Sequence, residues 1–295
     1  MSFCLPSKMQ PMSGRGSEPR IAFVLGGGGH MGAHEVGMLH ALLERKIEPH
    51  LVVGTSVGAI NGAAVAAAPT LDTVERLREV WLGLDDDTLF GGSIFSGAAK
   101  LWRRRTHLHT NESLRTLLSG MLPARFEDLT VEFQCVAACI ERAAEHWFAS
   151  GPLVDAILAS AALPGVLPPV QIGGEHFMDG GIVNSIPIAR AVELGAREIY
   201  VLHVGRIERP LQAPRNPLQV GIVAFEIARR HRFARDLATL PSGVVAHVLP
   251  TGQPEGPYGA DLSQLNYRQF KAVSDRIERA YRATAEHLDR TEAQR

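Results

Sequence analysis

The stretch Gly54-Thr55-Ser56-Val57-Gly58 decides how the rest of this sequence is interpreted. It follows an apolar run, Leu51 to Val53, that predicts a buried strand, and it precedes a run of small apolar residues, 59–68, that predicts a helix packed on a sheet. A strand, a Gly-x-Ser-x-Gly turn and a helix in this order are typical of a nucleophile elbow, which exposes the serine hydroxyl at a helix N-terminus. The string alone is also typical of a glycine-rich turn, so the flanking elements are what favour the elbow.

The composition of the chain indicates an ordinary globular protein. It has 295 residues, 45% of them hydrophobic, and a net charge of −1, which suits one large α/β domain or two small ones. This balance gives no reason to expect a nucleic-acid partner. The three cysteines, Cys4, Cys135 and Cys139, have no metal-binding spacing, and the last two would lie ~13 Å apart on a predicted strand. We therefore expect a cytoplasmic protein without structural disulfides.

The sequence predicts a single domain after a short leader, with no membrane-spanning helix. No apolar run reaches the ~18 residues of a membrane-spanning helix. Residues 1–19 lack the basic start and apolar centre of a signal peptide, and we expect them to form a disordered leader. A single domain is expected over 20–295, with a motif-bearing core over 20–205 and a helical part over 216–295. Residues 90–110, with three consecutive arginines, predict a surface loop, and peripheral membrane contact is the alternative.

A glycine-rich loop follows the first predicted strand, which ends at Leu25. Its pattern Gly27-x-Gly29-x-x-Gly32 matches the dinucleotide-binding fingerprint, but that site needs an acidic residue about 20 positions further on, after the next strand. That strand ends at Val53 and no carboxylate follows it. Backbone N–H groups at a helix start also suit a tetrahedral oxyanion, so a glycine loop before an elbow favours an oxyanion hole. The alternation of strands and helices predicts an α/β protein with a largely parallel sheet.

A serine nucleophile needs a base, and the sequence leaves two pairings open. Asp179 stands at the end of a short predicted strand, in an Asp-Gly-Gly turn that by itself would also be typical of a hairpin. It can accept the Ser56 proton directly if burial raises its pKa. Alternatively a histidine stands between the two, and both His203 and His247 follow Asp179 in the chain order of the α/β-hydrolases.

Taken together, the motifs resemble those of the patatin-like phospholipase family. They are Gly27-x-Gly29-x-x-Gly32, Gly54-x-Ser56-x-Gly58 and Asp179-Gly180-Gly181, together with the phrase Ala159-Ser160-Ala161-Ala162-Leu163-Pro164-Gly165. The resemblance covers about residues 20–205. It implies a three-layer α/β/α fold with a largely parallel central sheet.

The same resemblance implies the site and its chemistry. Ser56 would be the nucleophile, Asp179 the proton acceptor without a histidine, and Gly27, Gly28 and Gly29 the oxyanion hole. It further implies hydrolysis of carboxylic esters of phospholipids, lysophospholipids or related lipids, with no metal and no cofactor.

One position departs from the family pattern. Met31 stands where the glycine loop usually carries Arg or Lys, so one positive charge near the oxyanion is missing. This departure leaves a second hypothesis open, in which the protein is a weakly active or inactive relative that binds acyl lipid or a partner. The sequence makes no prediction of acyl-chain preference, headgroup or oligomeric state.

Overall fold

The structure, a computed structural model, describes residues 20–83, 110–204, 210–253 and 273–293. The predicted leader and the arginine-containing stretch over 90–109 lie outside these ranges. Within them the strands are β1 (Ile21–Leu25), β2 (Leu51–Thr55), β3 (Glu132–Cys139), β4 (Ala144–Phe148), β5 (Val170–Ile172), β6 (Glu175–Asp179), β7 (Glu198–Leu202) and β8 (Val245–Val248). The helices are α1 (Ala33–Glu44), α2 (Val57–Ala67), α3 (Leu71–Gly83), α4 (Glu112–Met121), α5 (Leu153–Ser160), α6 (Ile188–Glu193), α7 (Pro217–Ala238) and α8 (Val273–Glu292).

These strands form one sheet in which hydrogen-bonded neighbours follow the path β5-β6-β3-β2-β1-β7-β8, and β4 also pairs with β3. Strands β2 and β6 lie end to end along one edge of β3, and β4 lies along the other. The pairs β1–β2, β1–β7, β2–β3 and β7–β8 are parallel, whereas β3–β4, β3–β6 and β5–β6 are antiparallel. The predicted α/β protein with a largely parallel sheet is confirmed. Its antiparallel part comes from the short strands that return the chain to β3.

Helices cover both faces of the sheet. Alternate residues of a strand point to opposite faces, and in β1 they belong to two different hydrophobic clusters. Phe23 and Leu25 pack with apolar residues of α1 and α2, whereas Ala22 and Val24 pack with those of α6 and with Phe233 of α7. The expected three-layer arrangement is confirmed, because each face of the sheet is buried under its own helices.

The pairing of β3 brings the ends of β2 and β6 together. Since β4 occupies one edge of β3, β2 and β6 must share the other edge. Thr55, the last residue of β2, is in register with Val136, and Asp179, the last residue of β6, is in register with Ala137. The two strands run towards each other, so the residue after Thr55 lies beside Asp179.

The C-terminal part of the chain packs on the motif-bearing part. Strand β8 extends the sheet beside β7, and α8 lies against α1. At this helix crossing a Cβ atom on Gly37 would lie 2.1 Å from the Ile277 carbonyl oxygen and 2.8 Å from the Tyr281 nitrogen. Such distances are possible only for glycine, so this residue sets how closely the two helices approach.

We expect Gly37→Ala to lower the free energy of unfolding by about 1–3 kcal/mol, because the new methyl group forces α8 away from α1. Thermal or urea unfolding measures the effect. Gly120→Ala in α4 is the matched control, since no atom lies within 4 Å of its added Cβ and alanine favours a helix. Equal unfolding midpoints for the two variants would contradict the close packing described for α8.

Candidate active site

Ser56 occupies a sharp turn between β2 and α2. Its backbone has φ 56° and ψ −122°, a conformation that is strained for a residue with a side chain. The two glycines of the motif make the turn possible. A Cβ atom on Gly54 would lie 2.5 Å from the Gly58 carbonyl oxygen, and one on Gly58 would lie 2.4 Å from that of Leu25. The motif therefore brings β2, α2 and the end of β1 closer together than any side chain would allow.

A buried serine holds the turn from behind. The Ser56 backbone N–H donates to the Ser160 hydroxyl oxygen at 2.9 Å, and this hydroxyl donates in turn to the Val136 carbonyl at 2.6 Å. Ser160 is fully buried. Sequence reasoning gave it no role of its own, because nothing in a serine at the end of a predicted helix shows which backbone group it will contact.

The hydroxyl of Ser56 contacts Asp179 directly. Ser56 Oγ donates to Asp179 Oδ2 at 2.6 Å, and the Gly181 N–H donates to Asp179 Oδ1 at 2.7 Å. Burial of the carboxylate, which is only 4% exposed, raises its pKa from 3.8 to about 6, although both hydrogen bonds act in the opposite direction. A carboxylate with this pKa is a better proton acceptor near neutral pH than an aspartate in water.

The two histidines considered from the sequence lie on or after the strands at the other side of β1. His247, on β8, is 3.2 Å from Glu198 Oε1, and His203 is buried immediately after β7. Both oxygens of Asp179 already accept hydrogen bonds, one from the serine and one from the backbone. This geometry favours the direct pairing over a histidine relay.

The glycine loop lies beside the serine. A Cβ atom on Gly27 would lie 3.3 Å from that of Ser56. The Gly27 N–H, however, donates to the Ser185 carbonyl at 2.9 Å, so it does not point to an oxyanion. Within the described residues, the N–H groups of Gly28 and Gly29 have no hydrogen-bond acceptor. Of the three glycines expected to form the hole, Gly27 thus has its N–H engaged, whereas Gly28 and Gly29 have no acceptor for theirs among the described residues.

A buried polar network supports the far end of this loop. Asn61 Nδ2 donates to the Gly32 carbonyl at 3.1 Å and to Glu35 Oε2 at 2.7 Å, and its Oδ1 accepts from the Trp81 indole at 3.1 Å. Glu35 is fully buried, and desolvation raises its pKa well above the ordinary value, which favours the neutral carboxylic acid. Met31 is also buried in this region, at 8% exposure, where a methionine requires no partner for a charge.

The remaining motif residues close the site on the aspartate side. Gly180 and Gly181 begin a short 3₁₀ helix, Gly180–Ile182, directly after Asp179. A Cβ atom on Gly180 would lie 2.1 Å from the Val136 carbonyl oxygen, so this turn lies tightly against β3. Among the described residues there is no group of three or more His, Cys, Asp or Glu side chains that could hold a metal ion.

Two further contacts to the glycine loop were not found from the sequence. The backbone carbonyl of Ser185 accepts a hydrogen bond from the Gly27 N–H, and such a contact cannot be predicted from the type of residue. Arg229 Nη1, on α7, donates to the Gly27 carbonyl at 3.3 Å. The sequence shows only that Arg229 belongs to a basic stretch, 229–232, which lies 202 residues from the loop.

Comparison with known proteins identifies relatives whose chains are longer than this one. The sequence is 34% identical over 201 residues to a patatin-like phospholipase domain-containing protein of Caenorhabditis elegans, covering 64% of this chain and 14% of that protein. It is 34% identical over 173 residues to an uncharacterised NTE family protein of Mycobacterium bovis, covering 59% and 46%. It is 27% identical over 209 residues to the lysophospholipase NTE1 of Candida glabrata, covering 68% and 11%. The chain thus spans less than half the length of each of these relatives.

The family assignment rests on a longer continuous match. Residues 23–192, more than half of the chain, match the family described as patatin-like phospholipase. This range contains the glycine loop, the elbow and the Asp-Gly-Gly turn, the three features that meet at the carboxyl end of β2. The chain therefore belongs to the patatin-like phospholipase family.

Proposed function

We propose that this protein is a serine acyl hydrolase that cleaves carboxylic ester bonds of lipids, such as phospholipids or lysophospholipids. The observation that carries the proposal is the contact of 2.6 Å between Ser56 Oγ and a buried Asp179. Family membership supports lipid esters as the substrate class, and one of the relatives is named a lysophospholipase.

In the first step Ser56 Oγ attacks the ester carbonyl carbon while Asp179 Oδ2 accepts the hydroxyl proton. The carbonyl oxygen becomes an oxyanion, which the N–H groups of Gly28 and Gly29 stabilise. The tetrahedral intermediate then collapses to an acyl-Ser56 ester, and the leaving alcohol takes the proton from Asp179. Helix α2 begins at Val57, so the positive end of its dipole also favours the developing negative charge.

In the second step a water molecule attacks the acyl-Ser56 ester. Asp179 now removes a proton from the water, and the same backbone N–H groups stabilise the second oxyanion. Collapse of this intermediate releases the fatty acid and returns the proton to Ser56. The two steps use one base, the carboxylate of Asp179, which agrees with the direct serine–aspartate contact.

Apolar side chains near the aspartate suit an acyl chain. The ring of Phe225 on α7 comes within 3.5 Å of the position of a Cβ atom on Gly181, and its side chain is 38% exposed. Ile182 is 40% exposed and directly follows Gly181. We propose that these two side chains contact the acyl chain of the substrate. In the described part of the chain, no helix combines the length and the apolar character needed to cross a membrane.

Covalent labelling with a fluorophosphonate tests the proposal. The reagent reacts with activated serines, and we expect a single adduct on the peptide containing Ser56, together with hydrolysis of p-nitrophenyl esters and of lysophosphatidylcholine. Prior labelling should abolish both hydrolytic activities in proportion to the fraction of protein modified. An unlabelled protein, or hydrolysis that persists after complete labelling, would refute the proposed mechanism.

A further inference from the structure

Helix α7 lies against both loops that border the dyad. Arg229 Nη1 donates to the carbonyl of Gly27 in the glycine loop at 3.3 Å, and Arg232 Nη1 donates to the carbonyl of Val183 after the Asp-Gly-Gly turn at 2.7 Å. Both arginines contact backbone oxygen atoms, which are present whatever the side chains of the loops are. The helix therefore places two guanidinium groups, each paired with a carboxylate, next to the polypeptide that forms the site.

Arg229 is held in place by a buried carboxylate. Its Nη2 lies 2.8 Å from Glu226 Oε2, and each side chain of the pair is only 6% exposed. Arg230 Nε lies 3.3 Å from the same oxygen, so two guanidinium groups contact one carboxylate oxygen. The Arg229 Nε is buried without an acceptor. A buried ion pair of this kind adds little stability compared with an apolar pair of similar size, so stability does not explain it.

The contact fixes the direction of a backbone donor. The Gly27 carbonyl and the Gly28 N–H are opposite ends of one planar trans peptide group, so fixing the carbonyl on one side directs the N–H to the other. The preceding peptide is fixed as well, because the Gly27 N–H donates to the Ser185 carbonyl at 2.9 Å. A cation on the carbonyl oxygen also polarises the peptide group, which strengthens its N–H as a donor.

We propose that Arg229 is a positioning residue of the oxyanion hole. Held by Glu226, it orients the Gly27–Gly28 peptide so that the Gly28 N–H meets the oxyanion, and its guanidinium group polarises that peptide from α7. This inference rests on the function proposed above. It assigns Arg229 a role in the transition state, where negative charge develops on the carbonyl oxygen, and none in the binding of the ground-state ester.

The test compares the kinetics of Glu226→Gln/Arg229→Met, Arg229→Lys and wild type with a p-nitrophenyl ester. The double variant removes the Glu226–Arg229 ion pair as a unit, and the amide oxygen introduced at position 226 can still accept from Arg230 Nε, so we expect its melting temperature to stay within a few degrees of wild type. We expect its kcat to fall by about 10–100-fold, less than the loss of a whole oxyanion donor, with KM changed by less than about threefold. Arg229→Lys keeps the positive charge but loses the planar guanidinium group, so its kcat should lie between those of wild type and the double variant.

Two controls separate a positioning role from a structural one. Arg190→Met, on α6, removes a partly buried arginine that bonds Gln134, and we expect its kcat to remain that of wild type. The rate of fluorophosphonate labelling at Ser56 should fall in parallel with kcat, since the phosphonyl oxygen occupies the same hole.

A wild-type kcat in the double variant would overturn the positioning role of Arg229. The role would also be overturned if kcat fell only in proportion to the loss of folded protein and if Arg229→Lys lost as much kcat as the double variant. Ser56→Ala is measured alongside. If that variant hydrolyses the ester as fast as wild type, the proposed function fails and the inference falls with it, whatever Arg229 does.

Discussion

Ester hydrolysis by Ser56→Ala is expected to fall by a factor of about 10⁴ or more, because the hydroxyl oxygen that is proposed to form the acyl intermediate is removed. The substitution removes one oxygen atom and keeps the strained turn, so the fold should be unchanged. Initial rates with p-nitrophenyl esters and lysophosphatidylcholine measure the effect, and circular dichroism checks the fold.

Ser150→Ala is the matched control for this experiment, since Ser150 is an exposed serine in the loop before α5. It should retain the full rate. Comparable rates for Ser56→Ala and Ser150→Ala would show that hydrolysis, if present, occurs at another site.

Asp179→Asn is expected to lower kcat by about 10²–10⁴-fold, the usual worth of a general base. The amide has nearly the same shape as the carboxylate but accepts no proton from Ser56. In wild type the rate should fall about tenfold for each pH unit below about 6, because burial raises the pKa of Asp179 to about 6 and the protonated acid is not a base. The variant should show no such decrease. Rate profiles between pH 4 and 9 measure both effects.

Asp179→Asn, which should lower activity, should raise the free energy of unfolding. The pKa of Asp179 is about 6 in the folded protein against 3.8 for an ordinary aspartate, so above pH 6 the folded state carries a buried charge at a cost of about 3 kcal/mol. That cost is absent below pH 4 and grows as the pH rises from about 4 to about 6. At pH 8 we therefore expect Asp179→Asn to unfold at a higher urea concentration than wild type, by an amount that shrinks towards pH 4.

Asp155→Asn is the control for both measurements, because Asp155 is a partly exposed residue of α5 that pairs with Arg115 at 2.6 Å. Its activity should match that of wild type, and at pH 8 it should not unfold at a higher urea concentration than wild type. A variant at Asp179 that kept the rate and the acid limb of wild type would exclude this carboxylate as the base. In that case the histidines at 203 and 247 would be the next candidates.

Several features of the fold were predictable from local sequence. The apolar runs before Ser56 and before the glycine loop predicted β2 and β1, and the alternation of strands and helices predicted the parallel core of the sheet. These predictions succeed because a strand buried on both faces must be almost entirely apolar. The glycines at positions 54 and 58 were equally informative, because close backbone approach excludes every other residue.

The contact between Ser56 and Asp179 was harder to predict from the sequence than the fold. The sequence supplied a serine and an aspartate 123 positions apart and left open whether a histidine stood between them. That question depends on strand register, since β2 and β6 end at neighbouring residues of the same edge of β3. Register is a property of the assembled sheet, and neither strand specifies it alone.

The sequence by itself determined the type of fold, the elbow at Ser56 and the turn at Asp179, because apolar periodicity and obligatory glycines are written in residue types. Only the tertiary structure decided which backbone groups are free to act. It showed that the Gly27 N–H is already bonded to Ser185, that Ser160 holds the elbow, and that Arg229 from a distant helix lies on the glycine loop. The physical reason is that backbone carbonyl and N–H groups are the same in every residue, so the sequence does not record which of them will meet.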